Sequence, residues 1–172
     1  VLLRLVADAD IFIEAERPGA LAALGLGVED LQEVNPRLVV ISISDFGQTG
    51  PYRDWTGTNW TQMAAAGVLS RSGIPGRAPV QPPGELAIEA TAVQAAYAAL
   101  LAYYHRLNTG TGEYVDASVF ESTVQVMDPP LGVGGSATGG LSMLNLGRGG
   151  PDMSHLYPIY ECADGYVRAL ML

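Results

Sequence analysis

The chain has 172 residues with 48% apolar and 16% charged residues, a composition that indicates a globular protein and excludes a disordered one. Its formal net charge of −9 argues against a general nucleic-acid-binding role, because such binding depends on Lys and Arg side chains that neutralise phosphates. All nine cationic side chains are arginines, and a few arginines in one place are enough to bind a small anionic ligand.

The only cysteine, Cys162, allows no internal disulfide and fits a reducing compartment, so we expect a cytoplasmic protein. No continuous apolar run reaches about 18 residues, so no membrane contact is expected. Asp152 and His155 form a lone pair without further ligands, which predicts no metal site. The chain begins at Val1 and stops inside an apolar run at Leu172, and we therefore expect a fragment of a longer protein.

Each of the first two predicted strands leads into a loop of the kind that binds ligands. Residues 9–13 precede the loop 14–19, EAERPG, and residues 38–43 precede the glycine-rich loop 45–51. The second run is β-branched without strict alternation, which predicts a strand covered on both faces. Helical turns are predicted between the two strands, over 19–33. In open α/β sheets, ligands bind beyond the carboxyl ends of the strands.

The dominant signal further along is an alanine-rich and leucine-rich helix over 85–107. We interpret it as a core helix whose larger side chains share one face: Tyr97, Leu100, Leu101 and Tyr104. The other elements are predicted as a helix over 59–67 capped by Thr58 or Asn59, an irregular segment over 68–84, a strand over 112–119, a helix over 120–127, a mobile glycine-rich segment over 131–150 and a hairpin over 157–168.

Several of these segments, in this order, resemble one known family. The segments are EAERPG, LGLG, NPRLVVISISDFGQTGPY, YYHRLNTGTGEYVDASVFES and YECADGYV, and they are dense over residues 6–121. They are similar to the CaiB/BaiF family, the class III coenzyme A transferases. This family includes formyl-CoA transferase, carnitine CoA-transferase and α-methylacyl-CoA racemase.

The resemblance implies an α/β fold with a Rossmann-like large domain and a second, smaller domain. Residues 1–150 would be part of the large domain, and residues 151–172 would begin the small domain with the hairpin. It also implies an intertwined homodimer in the full-length protein, in which two subunits build each active site.

The activity implied by the resemblance is the transfer of coenzyme A between an acyl-CoA thioester and a carboxylic acid. In such transferases an aspartate near the start of the long helix attacks the thioester, giving a mixed anhydride and then an enzyme-bound thioester. Covalent catalysis splits one difficult exchange into two easier steps. Acyl-CoA and the acid are substrates, and no tightly bound cofactor is implied.

The sequence departs from the family pattern at the nucleophile. Alignment on His105-Arg106 places Ile88 where the family has its aspartate, and Ile88 cannot act as a nucleophile. Glu89, one residue further on, could supply the carboxylate, or it could simply decorate the helix N-terminus as acidic residues often do. The histidine and aspartate of the family's racemases align with Thr58 and Asn59, which disfavours racemase chemistry.

Two further groups are candidate binding residues. Arg17 occupies the position where the family places a cation for the coenzyme A phosphates, with a solvated loop arginine as the alternative. Gly57, Thr58 and Asn59 could offer backbone donors to the thioester or pantetheine, or they could only cap the helix that follows.

Three functions therefore remain open at the level of sequence. The first is a class III CoA-transferase, with Glu89 as the candidate catalytic residue. The second is a non-catalytic half or paralogue that binds CoA esters or completes the assembly, which the isoleucine at position 88 favours. The third is a racemase or hydratase acting on CoA thioesters.

Overall fold

The computed structural model describes residues 1–71, 77–125 and 159–168. The chain divides into two compact units, one comprising Val1–Val68 and Gln81–Met127, the other comprising Leu69–Val80 and Asp128–Leu172. The described elements are α1 (Leu2–Val6), β1 (Ile11–Glu14), a 3₁₀ turn (Ala22–Leu24), α2 (Val28–Val34), β2 (Val39–Ser44), α3 (Asn59–Ala65), a second 3₁₀ turn (Val68–Arg71), α4 (Leu86–Thr109), β3 (Tyr114–Ser118), α5 (Val119–Gln125), β4 (Ile159–Cys162) and β5 (Gly165–Arg168).

The first unit is built on a parallel sheet with the strand order β1-β2-β3. Ile11 pairs with Val39 at one boundary, and Val40 pairs with Tyr114 at the other. The central strand β2 is almost entirely buried, as its continuous β-branched run predicts. All three strands run in the same direction, so their carboxyl ends share one edge of the sheet.

Both faces of the sheet are covered. On one face Val39 and Ile41 pack against alanines of α4. On the other face Leu38 and Val40 cluster with Val6 of α1 and Leu31 of α2. Helices on both sides of a parallel sheet define a doubly wound α/β fold, which confirms the predicted fold class.

Helix α4 packs on the sheet through its small side chains. Its buried positions are mostly alanines, with one threonine and one arginine: Ala87, Thr91, Ala95, Ala99, Ala102 and Arg106. Small residues let the helix backbone approach the strands closely, so the packed face of α4 is the face that lacks large side chains.

The predicted core helix is buried on its small-residue face only. The large side chains on the opposite side of the helix are more than half exposed, namely Val93, Tyr97, Leu100, Leu101, Tyr104 and Leu107. Both faces are apolar, so hydrophobic periodicity alone could not tell which one meets the sheet.

By length and mean hydropathy α4 also meets the requirement for a helix that crosses a membrane, although it contains no continuous apolar run of about 18 residues. Only 28% of its most apolar window is buried. A single helix of this kind is a weak indication, because core helices of soluble proteins meet the same requirement.

In the second unit, β4 and β5 form the predicted antiparallel hairpin, in which Ile159 pairs with Arg168. The predicted glycine-rich segment over 131–150 lies outside the described residues, and so do Asp152 and His155. The predicted domain boundary at residue 150 also falls there and stays a prediction.

Candidate functional site

A cleft of about 420 Å³ opens at the carboxyl ends of β1 and β2. Its lining comes from the loop after β1, the end of β2 and the loop that follows it, the first turn of α4 and the start of α5. The residues are Ala15, Glu16, Arg17, Pro18, Ile43, Ser44, Asp45, Arg53, Asp54, Trp55, Thr56, Ile88 and Val119. This is the edge of the sheet where the sequence predicts a ligand.

The loop after β2 is held in place by Asp45. Its carboxylate Oδ2 accepts a hydrogen bond from the Gly57 backbone N–H at 2.8 Å. Its carbonyl oxygen accepts one from Gln62 Nε2 of α3 at 3.1 Å and one from the Phe120 N–H at 3.0 Å. A Cβ at position 57 would collide with the Gln62 side chain, so a larger residue there would require Gln62 to move away from the Asp45 carbonyl.

Aromatic side chains stiffen the same loop. The Phe46 ring lies 5.9 to 6.2 Å from the rings of Tyr52, Trp55 and Phe120, measured between centroids. The rings of Tyr52 and Trp55 are 4.5 Å apart. Such contacts add stability beyond the area that they bury. The segment that brings Arg53 and Trp55 to the cleft is therefore anchored at both ends.

The first turn of α4 is tied to the first turn of α3 through one buried side chain. Asn59 Oδ1 accepts a hydrogen bond from the Ala87 N–H at 2.9 Å, and Asn59 Nδ2 donates to the Gly84 carbonyl at 3.4 Å. Asn59 thus satisfies a backbone donor that the helix itself leaves unpaired. This contact fixes the position of Ile88 at the cleft.

Of the residues predicted for the site, only Arg17 lines the cleft. Its side chain is exposed, and it makes no ion pair with any residue that the structure describes. Arg53 contributes a second guanidinium and pairs with Asp54 at 3.4 Å. The prediction that Arg17 binds coenzyme A phosphates is thus compatible with its place, and it stays a prediction.

Gly57, Thr58 and Asn59 lie beside the cleft without lining it. The N–H of Gly57 donates to Asp45, and the N–H of Thr58 donates to Thr61 Oγ1 at 2.7 Å. The Thr58 hydroxyl accepts from the Thr61 N–H, which makes Thr58 the N-cap of α3. Capping accounts for these two N–H groups, and the contact of the segment with a ligand stays a prediction.

The two residues considered for the nucleophile position point to different places. Ile88 lines the cleft and is 53% exposed. Glu89 does not line the cleft, and its Oε1 accepts a hydrogen bond from the Glu85 N–H at 3.4 Å. The position of Glu89 is that of an acidic residue completing a helix N-terminus. Its catalytic role stays a prediction, and the geometry favours the structural alternative.

A smaller cavity of about 100 Å³ lies near the other face of the sheet, and Arg17 and Tyr114 line it. Burial raises the pKa of the Tyr114 hydroxyl above its usual value of 10.0, and the nearby carboxylates of Asp116 and Glu14 act in the same direction. A hydrogen bond with Ser42 opposes them. Over the described part of the chain, no group of three His, Cys, Asp or Glu side chains could hold a metal ion.

Sequence reasoning missed Arg53 and Trp55 as lining residues. The sequence predicts the glycine-rich loop as a ligand loop, but the residues after Pro51 carry no spacing signal of their own. Their place depends on the Asp45 contacts and on the aromatic cluster, which join residues distant in the chain.

A doubly wound sheet with a cleft at its carboxyl edge belongs to the α/β ligand-binding proteins, and comparison with known proteins narrows the class. Residues 1–171 match the family model described as CoA-transferase family III. The chain therefore belongs to this family, as the sequence motifs indicated.

The chain is similar to curated relatives and to solved structures, of which three are described here. The probable CoA-transferase Rv1866 of Mycobacterium tuberculosis is 44% identical over 166 residues, which are 96% of this chain and 21% of that protein. The beta subunit of succinyl-CoA–L-malate CoA-transferase from Chloroflexus aurantiacus is 39% identical over 129 residues, 74% of this chain and 32% of that protein. A CAIB/BAIF family protein from Brucella suis superposes with a TM-score of 0.80 at 29% identity, covering 96% of this chain and 43% of that one.

The chain thus spans between about a fifth and less than half of these proteins. Because 166 residues are 21% of the mycobacterial relative, that protein has about 790 residues. By the same ratio, 129 residues at 32%, the Chloroflexus subunit has about 400. The mycobacterial relative is therefore about twice as long.

Proposed function

We propose that the protein carrying this chain transfers coenzyme A from an acyl-CoA thioester to a carboxylic acid. One observation carries the proposal: a chain of the CoA-transferase family III has its cleft at the carboxyl edge of the sheet, walled by Arg17 and the first turn of α4. The cleft combines arginines suited to phosphates with an apolar side suited to an acyl or pantetheine group.

Arg17 is the side chain best placed for the coenzyme A phosphates. A guanidinium offers several N–H donors in a fixed fork, and phosphate oxygens accept such pairs well. Arg53 stands in the same lining, with Asp54 as its present partner. A phosphate could displace that exposed carboxylate at little cost, because exposed ion pairs contribute little stability.

The nucleophile of the transfer has two candidate sources. Glu89 would have to leave its contact with the Glu85 N–H and turn toward the cleft, since neighbouring helix positions point about 100° apart. The other source is a carboxylate elsewhere in the protein, with this chain binding the CoA ester and completing the assembly. Ile88 in the cleft favours the second source, and so does the double length of the mycobacterial relative.

A label-exchange experiment tests the transfer. The protein carrying this chain is incubated with a panel of unlabelled acyl-CoA donors and isotopically labelled free acids, and the label is followed from the acid into the thioester by mass spectrometry. We expect exchange with at least one donor. Absence of exchange across the panel, while the protein still binds a CoA ester, would contradict the transfer of coenzyme A.

The matched pair Glu89→Gln and Glu85→Gln assigns the nucleophile. If Glu89 attacks the thioester, hydroxylamine traps a glutamyl-CoA species, and only Glu89→Gln abolishes turnover. If another part of the protein supplies the carboxylate, both variants keep full activity. The Glu85 variant controls for the loss of a charge at the same helix end.

Assembly and compartment complete the proposal. We propose an intertwined homodimer in the cytoplasm, without nucleic acid, membrane or a tightly bound cofactor. The subunit name of the Chloroflexus relative supports a multi-subunit assembly for that protein. Light scattering coupled to size exclusion would give twice the protomer mass for a dimer.

The racemase or hydratase alternative has its own test. Wash-in of deuterium at the α-carbon of the thioester would indicate that alternative instead of coenzyme A transfer.

A further inference from the structure

The cleft has one apolar side that folding alone does not explain. Ile43 at the end of β2, Ile88 in α4 and Val119 at the start of α5 line it together with Trp55. Ile88 is 53% exposed and Trp55 is 60% exposed, so two large apolar side chains face solvent in one cleft. Apolar area that stays in contact with water is area that an apolar ligand can bury.

The charges of the lining disfavour a ligand that carries another anionic group besides the coenzyme A phosphates. Glu16, Asp45 and Asp54 contribute three carboxylates against the guanidinium groups of Arg17 and Arg53. Arg53 pairs with Asp54 at 3.4 Å. If Arg17 and Arg53 both take the coenzyme A phosphates, no cation remains among the described residues of the lining for a carboxylate at the far end of an acyl group.

We propose that this cleft selects CoA thioesters with an apolar acyl group over those whose acyl group ends in a carboxylate, and that Ile88 is the residue that determines this preference. The inference deepens the proposed function and depends on it, because the cleft must bind a CoA ester at all. It holds whether the nucleophile comes from Glu89 or from another part of the protein.

The physical argument is a difference in desolvation. An alkyl group against Ile88 and Trp55 loses contact with water and gains affinity, about fourfold for each methylene buried. A terminal carboxylate in the same place would lose its hydration without gaining a partner, which is costly for a charged group. Repulsion from the three carboxylates of the lining adds to this cost.

Calorimetric titration of the protein carrying this chain measures the preference, without an acid acceptor so that no turnover occurs. The probes are acetyl-CoA, butyryl-CoA and succinyl-CoA. Butyryl-CoA should bind roughly fifteenfold more tightly than acetyl-CoA, from two added methylenes. Succinyl-CoA has the same chain length as butyryl-CoA and differs by its carboxylate, and it should bind at least about tenfold more weakly.

Three variants on α4 locate the preference. Ile88→Asn introduces a polar side chain that cannot serve as a carboxylate nucleophile, and it should reduce the butyryl-to-succinyl ratio by about fivefold or more. Val93→Asn makes the same kind of change at an exposed position of the same helix that does not line the cleft, and the ratio should stay as in the wild type. Ile88→Leu should keep the preference. Matching thermal unfolding of the two asparagine variants confirms equal folding.

The outcomes test the inference and the proposed function separately. Equal binding of butyryl-CoA and succinyl-CoA to the wild type would overturn the inference and leave the proposed function standing. An unchanged ratio in Ile88→Asn would also overturn it, because another site would then set the preference. If no CoA ester binds, the proposed function itself is wrong.

Discussion

The two faces of α4 are both apolar, yet they do different things. The face of small residues packs on the sheet, and Ala99 in its middle is 5% exposed. The face of large residues is exposed along its length, and Leu100, the next residue in the chain, is 65% exposed. The lesson is that size decides which face meets a sheet at close range, and that apolar residues on the other face need an explanation other than this core.

Ile88 does not belong to the large-residue face, because it lies two helical turns before Ala95, on the side of α4 that packs on the sheet. Ile88 stands in the first turn, where Asn59 fixes the helix against α3, and it faces the cleft. The later turns lie away from the cleft. Substitutions on the two faces should therefore differ in their effect on the free energy of unfolding.

The largest effect is expected where the packed face is overfilled. Ala99→Leu would force three extra carbon atoms into the contact with Val39 and Ile41, lowering the free energy of unfolding by about 3 kcal/mol. Leu100→Ala, one residue on, should change it by less than about 0.5 kcal/mol. Urea denaturation measures both. Similar losses of unfolding free energy in the two variants would show that the two faces of α4 do not differ in packing.

A second test removes the buried arginine of the packed face, Arg106, and with it the contacts to Asp10. Arg106 is 8% exposed, and its guanidinium contacts Asp10 Oδ1 at 2.7 Å and the Asp10 carbonyl at 3.1 Å. Arg106→Met keeps most of the volume and loses both contacts, so we expect a loss of about 2 kcal/mol in urea denaturation. Arg37→Met, at an exposed arginine, is the control and should cost less than about 0.5 kcal/mol. If Arg106→Met costs as little as Arg37→Met, the packing of the alanines alone holds the helix on the sheet.

The smallest effect is expected on the side of the sheet away from α4. Burial raises the pKa of Tyr114 in the folded state, so the protein resists deprotonation of this hydroxyl. Its contribution to stability is therefore complete below pH 10.0, the ordinary tyrosine value, and is lost as the pH rises through the higher folded-state pKa. Tyr114→Phe should make the alkaline fall in stability shallower, as followed by thermal unfolding between pH 9 and about 11. Superimposable alkaline profiles would show that Tyr114 has no part in that fall.

The sequence predicts the sheet edge well and the site residues poorly, for physical reasons. The strand at 38–43 and the loop after it are local signals, and the structure confirms them as β2, Val39–Ser44, and the cleft loop. The place of Glu89 depends on a hydrogen bond with Glu85, and that of Asn59 on a contact with Ala87, 28 residues away. Side-chain direction at a helix start and long-range capping leave no periodic trace in a sequence.

Arg17 lies between these two cases, because its place at the cleft could be predicted and its neighbours there could not. A family resemblance singled it out, and the structure places it in the cleft, but its neighbours Arg53 and Trp55 arrive there only through the folded loop. The charge pattern of the cleft could therefore be described only after the loop was placed.

The most direct test of the central claim is calorimetric titration of butyryl-CoA into the wild type, Arg17→Ala and Arg37→Ala. Arg17 lines the cleft at the carboxyl edge of the sheet, while Arg37 is exposed just before β2, at the opposite edge. The account predicts that Arg17→Ala weakens binding by about tenfold or more and that Arg37→Ala binds like the wild type. Equal affinities in all three proteins would show that the thioester binds somewhere other than this cleft.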